Sequence, residues 1–248
     1  MTWSLIARDG DEIGLTVASK FFACGAVVPY VGPRTAVASQ AFCNPVWGTE
    51  GQTRLETEDA HDVLADFVAR DKGQTIRQAH IMDASGVFAA HTGADCVDWA
   101  GHLIGKDHSV AGNMLAGPEV VEVTSEVFLS TTGPLATRMI TAMQAGEAAG
   151  GDKRGRQAAG LTIHRGEQHP WLSLRADDHA DPLGELDRLW QVAQERYVHF
   201  ALGMPTEANF SGSPTRDHID AAIAEAEARR VSQGRSSSSH AVDHDTAT

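Results

Sequence analysis

Two apolar runs at the start of the chain limit the possible folds more than any other feature. Residues 2–8 and 13–19 flank the charged turn Asp9-Gly10-Asp11-Glu12, the pattern of a β-hairpin. Both runs are apolar at odd and even positions alike. Strand side chains alternate between faces, so these strands belong in a sheet covered on both sides.

The following segments supply the covers. Residues 26–31 and 35–40 form a second strand pair around Gly32-Pro33, and 76–82 with 87–91 a third across Asp83-Ala84-Ser85-Gly86. Residues 57–70 read as a helix with Val63, Leu64, Phe67 and Val68 on one face. A strand at 108–112 precedes helices at 118–129 and 135–147, which Gly133-Pro134 separates. Strands at 157–164 and 171–175 lead to an amphipathic helix at 181–200. Strict strand–helix–strand alternation is missing, which disfavours a doubly wound parallel sheet. The expected class is α+β, with stacked, largely antiparallel sheets and helices outside. The expected domain spans 1–202, followed by a linker and solvated helix at 203–231. The serine-rich stretch 232–248 reads as a disordered tail.

Composition removes several function classes. With Lys plus Arg at 20 and Asp plus Glu at 33, the chain carries −13 at pH 7. That balance opposes nucleic acid or an anionic membrane as the main partner. No apolar run approaches the ~20 residues of a membrane span, and the first twelve residues lack a signal-peptide pattern. A cytoplasmic protein is expected. Cys24, Cys43 and Cys96 form no disulfide or zinc pattern. Twelve histidines occur without HExxH or HxH spacing, so no metal and no cofactor is expected. His164 and His169 merely flank a turn, and residues 101–106 (GHLIGK) lack phosphate-loop spacing.

The residue with most chemical content is Thr2. Removal of Met1 would leave it a free α-amine, which titrates at ~7.7–8 when unperturbed. That amine can take the proton of the same residue's hydroxyl and activate it as a nucleophile. If Gly10-Asp11 is the hairpin loop, counting outward places Thr2 opposite Ser19, where Cβ atoms lie ~4.5–5.5 Å apart. A one-residue change of loop would bring Lys20 there instead.

The runs TWSLIARDGDEIGLTVASKFFACGAVVPYV, HTGADCVDWAGH, GNMLAGPEVV and GGDKRGRQAA resemble an uncharacterised bacterial family grouped with the N-terminal nucleophile (Ntn) hydrolases. Its members are sometimes labelled pilin proteins, a label this composition does not support. The resemblance covers about residues 1–200. It implies a four-layer αββα sandwich of two antiparallel sheets between helical layers. It also implies Thr2 as the nucleophile, with Ser4 on the same strand face. Asp152, in the glycine-rich loop, is the candidate to hold the α-ammonium, and Arg154 to bind a substrate carboxylate. Gln157 ends that loop. Asn113 is a candidate oxyanion donor, and His91 a candidate to line the same cleft. Ala158 departs from the family pattern, which has Ser there.

The expected function is an amide hydrolase acting through an acyl-enzyme on Thr2, with a small amide substrate and a homodimeric assembly. The alternative is an inactive member of the fold that binds a small molecule or protein. Catalysis by Cys24 is a third possibility.

Overall fold

The computed structural model describes residues 2–242. Strand β1 (Thr2–Asp9) turns through Gly10, at φ +60°, into β2 (Glu12–Ser19). Asp9 faces Glu12, so the loop is the two residues Gly10-Asp11. The positive φ is what a two-residue hairpin turn demands, and glycine adopts it without steric cost.

The remaining elements are, in order, α1 (Cys24–Val27), β3 (Pro29–Val31), β4 (Ala36–Ala41), α2 (Pro45–Arg54), α3 (Ala60–Arg70), β5 (Arg77–Met82) and β6 (Phe88–Thr92). There follow β7 (Gly101–Ile104), β8 (His108–Asn113), α4 (Glu119–Ser130), α5 (Leu135–Ala148), β9 (Ala158–Arg165) and β10 (Leu172–Ala176). The last helices are α6 (Pro182–Glu195), α7 (Tyr197–Ala201) and α8 (Asp217–Ser232).

One sheet has six strands in the order β10-β9-β2-β1-β8-β7, the other four in the order β3-β4-β5-β6. Every pairing is antiparallel. Ile6, Ile13, Leu15 and Val17 of the larger sheet meet Val31, Ala36, Ala38, Met82 and Phe88 of the smaller. Beyond the smaller sheet, Trp47 of α2 and Val63, Leu64 and Phe67 of α3 pack on Val37, Ala79 and Ile81. Helices α4 and α5 cover the larger sheet, Met139 and Leu135 filling the space above Gly14. The architecture is therefore the expected four-layer αββα sandwich, and the doubly apolar hairpin lies in its inner layer.

The structure adds two elements that the sequence reading lacks and corrects two spans, the first being the strand expected at 26–31, which begins inside helix α1 and reaches β geometry only at Pro29–Val31. Residues 45–54 carry no helical apolar period, yet they form α2, because its buried face is Trp47, Gly48 and Gly51. A Cβ at Gly48 would collide with the Tyr30 ring, so this helix packs by backbone approach. Strand β7 lies inside the GHLIGK run, where no strand was expected. The expected helix at 181–200 is broken at Arg196, so α6 and α7 are separate.

The chain forms two compact units, Met1–Leu186 and Asp187–Thr248. The division falls inside α6, whereas the sequence suggests residue 202. In the second unit Ile219 and Ile223 of α8 are buried. Part of the serine-rich stretch expected to be a disordered tail makes contacts with α6. Ser237 Oγ and Ser238 N each donate to Glu195 at 2.7 Å. Residues 243–248 of that expectation lie outside the described residues.

Candidate active site

Register puts the candidate residues in a row. Trp3 pairs with Ala18, which sets Thr2 across from Ser19, and Thr2 also pairs with Asn113. Ser19 in turn pairs with Ala158. Asn113, Thr2, Ser19 and Ala158 thus cross four adjacent strands at one level, and all four are buried. The Thr2 hydroxyl donates to Ser19 Oγ at 3.2 Å, and Asn113 Nδ2 donates to the Thr2 carbonyl at 3.3 Å.

The loop before β9 closes one flank. Gly150 and Gly151 have φ of +124° and +49°, and a Cβ on Gly150 would lie 2.5 Å from Ala116. Glycine lets the loop run against the segment after β8, where Leu115 and Asp152 form a bridge. Asp152 then accepts from Lys20 N at 2.9 Å, Arg154 N at 2.8 Å and the Arg154 guanidinium at 3.1 Å. Lys20 Nζ donates to Arg154 O at 2.8 Å. The loop is thereby bound to the residue directly after Ser19. On the other flank Met114, at φ +59°, leaves β8 through a left-handed turn, a conformation that costs a non-glycine residue about 1–2 kcal/mol.

Beneath the row lies a polar layer in which Ser4 and Asn113 meet Gln40, Gln78, His80 and Ser109, four residues that sequence reasoning missed. Ser4 Oγ donates to Gln40 Oε1 at 2.7 Å, and Gln40 Nε2 donates to Gln78 Oε1 at 2.9 Å. Asn113 Nδ2 donates to the same Gln78 oxygen at 2.9 Å. Gln78 Nε2 reaches Gly112 O at 2.8 Å and Thr92 Oγ1 at 2.9 Å. His80 lies between Ser4 Oγ, 2.8 Å from Nε2, and Ser109 Oγ, 3.0 Å from Nδ1. With the single Ser4 proton directed at Gln40, Ser4 must accept from His80 Nε2–H. Nδ1 then accepts from Ser109, which assigns the tautomer from the network. Complete burial pushes the His80 pKa down to about 3, helped by nearby His102, so the ring is neutral. The available signal was the period-two spacing of Gln78 and His80, which places both side chains on one strand face.

The other candidates separate in space. Ser4 joins the network. The Gln157 backbone N–H donates to Ser19 O at 3.1 Å, but its side chain turns to Asp178. His91 stands on the outer face of the smaller sheet, tilted against Trp47, with Nε2 on Gln74 O; alternation puts it on the face away from the row. Burial pushes the Cys24 thiol up to about 12, which leaves it protonated and a poor nucleophile. Among the described residues no group of three or more His, Cys, Asp or Glu side chains is placed to hold a metal ion, and no helix is long and apolar enough to cross a membrane.

One solved structure shares this architecture over most of both chains. A crystal structure of a protein from Silicibacter pomeroyi, itself matching the family model found here, superposes with a TM-score of 0.79 at 27% identity. The match covers 86% of this chain and 98% of that one. HslV from Trypanosoma brucei aligns at TM-score 0.39 and 9% identity, over 66% of this chain and 99% of that one. Thiobacillus denitrificans BPH in complex with epoxomicin aligns at 0.39 and 6%, over 66% and 98%. No curated protein matches the sequence. The model described as "Family of unknown function (DUF1028)" matches residues 2–186, and the chain belongs to that family.

Proposed function

We propose that this protein is an amide hydrolase of the N-terminal nucleophile kind, with Thr2 as nucleophile once Met1 is removed. The Thr2 hydroxyl, seated at 3.2 Å on Ser19 Oγ, is the observation that carries this reading. Thr2 Oγ attacks the amide carbonyl while the α-amine takes the hydroxyl proton. The C–N bond breaks, the proton goes to the leaving amine, and an ester remains on Thr2. Water, deprotonated by the same amine, then hydrolyses the ester and returns the proton to Oγ. Ser19 orients the attacking oxygen and Asn113 fixes the Thr2 main chain.

Asp152 has a positioning role, since its carboxylate accepts from Lys20 N and from Arg154. The substrate is a small amide, and no cofactor or metal takes part. The enzyme is cytoplasmic and homodimeric in this reading, with the exposed Phe21, Phe22 and Phe42 available to an interface; sedimentation velocity tests the dimer.

The second reading, an inactive binding module, is favoured by one observation. Ala158 ends the row beside Ser19 and is fully buried, so that position offers no hydroxyl to the amine.

Intact-mass analysis followed by a β-lactone probe decides between them. The expected result is loss of Met1 and one acyl group on the N-terminal tryptic peptide, absent in Thr2→Ala. Retained Met1, an unlabelled wild-type chain, or labelling that survives Thr2→Ala would overturn the enzymatic reading.

A further inference from the structure

The second compact unit holds a cleft of about 350 Å³, within the range of small-molecule sites. Its construction begins at Gly234, whose φ of +67° ends α8. Arg235 N donates back to Arg230 O at 3.1 Å, and Gly234 N to Val231 O at 2.9 Å, a helix-terminating reversal that glycine permits. The reversal carries the chain along α6. There Arg235 donates to Gln191 Oε1 at 3.1 Å, and Arg188 donates to Ser238 O at 2.7 Å.

The reversal adds Arg235 to Arg229 and Arg230 of α8 in the lining of one cleft. The last carbonyls of α8 are capped by the backbone N–H groups of Gln233, Gly234 and Arg235, which reduces the repulsion a helix C-terminus presents to an anion. Glu195 is the carboxylate among the lining residues, and it is already engaged. It accepts from Ser237 Oγ and Ser238 N and pairs with Arg230 at 3.3 Å. Burial opposes its ionisation, but these hydrogen bonds and the charges of Arg230 and Arg235 hold its carboxyl below the usual range. Arg229 reaches Glu225 only at 3.5 Å and stays more than half exposed. Arg230 Nε is buried without a hydrogen-bond partner. The lining therefore holds three positive charges against one negative, on a chain of net −13. Val198 and Ala226 add a short apolar wall.

We propose that this cleft binds a small organic oxyanion, a phosphate ester or a carboxylate, through Arg229, Arg230 and Arg235 with its carbon portion against Val198 and Ala226. Guanidinium groups suit both headgroups because their forked donors match two oxygens at once. The site is built from the second unit alone and does not depend on Thr2 being a nucleophile.

Isothermal titration of the full chain with phenyl phosphate and with glutarate tests the proposal, with phenol as the uncharged control. Saturable binding of one equivalent, weakened by added salt, is expected in at least one arm, and the stronger arm identifies the headgroup. Arg235→Gln, whose side chain makes one surface hydrogen bond, should weaken binding about tenfold while melting at the wild-type temperature. Arg229→Gln serves as an independent second variant. Absence of saturable binding in both arms, equal binding of phenol, or unchanged affinity in both variants would overturn it.

Discussion

The layer between the two sheets has two unlike halves. Around β2 it is hydrocarbon, where Ile13, Leu15 and Val17 meet Val31, Ala38 and Met82. Around β1 and β8 it is polar, where Ser4, Gln40, Gln78, His80, Ser109 and Asn113 are all buried. The hydrocarbon half stabilises in proportion to area and is indifferent to direction. The polar half contributes little net stability per bond, yet every bond has a direction and a missing one is costly. Thr2 sits where the polar half reaches the start of the chain. Area holds the sheets together, whereas directional bonds fix the position of one main-chain carbonyl.

That contrast can be broken at either half. Leu15→Ala should cause the largest loss, about 3 kcal/mol in urea unfolding, from lost transfer energy and a cavity. A loss below ~1 kcal/mol would mean the sheets can close on the space. His80→Leu should cost about 2 kcal/mol by leaving Ser4 and Ser109 short of partners. Its sharper signature is in pH. The His80 pKa is about 3 when folded and ~6.5 when unfolded. The unfolded state therefore binds the extra proton first as pH falls. Stability should decline from about pH 6.5 towards pH 3, by at most ~1.4 kcal/mol per unit from this group. Comparing unfolding free energies of wild type and His80→Leu across that window should show the leucine variant losing this slope; equal slopes would refute the assignment.

Asn113→Ala should cost about 1–2 kcal/mol, since it removes the bonds to Thr2 O and Gln78. For the Thr2 nucleophile proposed above, the same variant should acylate about tenfold more slowly, which the timed β-lactone reaction measures. Lys20→Ala should change unfolding stability least, within ~0.5 kcal/mol, because the side chain is exposed and donates to one loop carbonyl. A larger effect would make that loop part of the folded core.

Much of the larger sheet was legible. The Asp9–Glu12 turn narrowed the residue facing Thr2 to Ser19 or Lys20, and the two-residue loop seen in the structure selects Ser19. Helix α3 announces itself by the spacing of Val63, Leu64 and Phe67. Helix α2 does not, since Gly48 and Gly51 pack without apolar side chains, although Asn44-Pro45 does form its cap, with Asn44 Oδ1 accepting from Val46 N. In the site, Thr2, Ser19 and Asn113 could be nominated from strand ends and the family resemblance. His91 looked equivalent, but strand alternation turns it to the outer face, beside Trp47.

The sequence alone determined the local pairings: which residues turn, which alternate, and which two residues compete to face Thr2 across the hairpin. Those follow from backbone geometry within a few residues. Tertiary structure alone decided that Gln40, Gln78 and His80 come from the opposite sheet to meet Ser4 and Asn113. It also decided that Asp152, far along the chain, meets Lys20. Such contacts depend on how two sheets stack and how a loop closes, and a buried polar side chain finds its partner only once that stacking has excluded water.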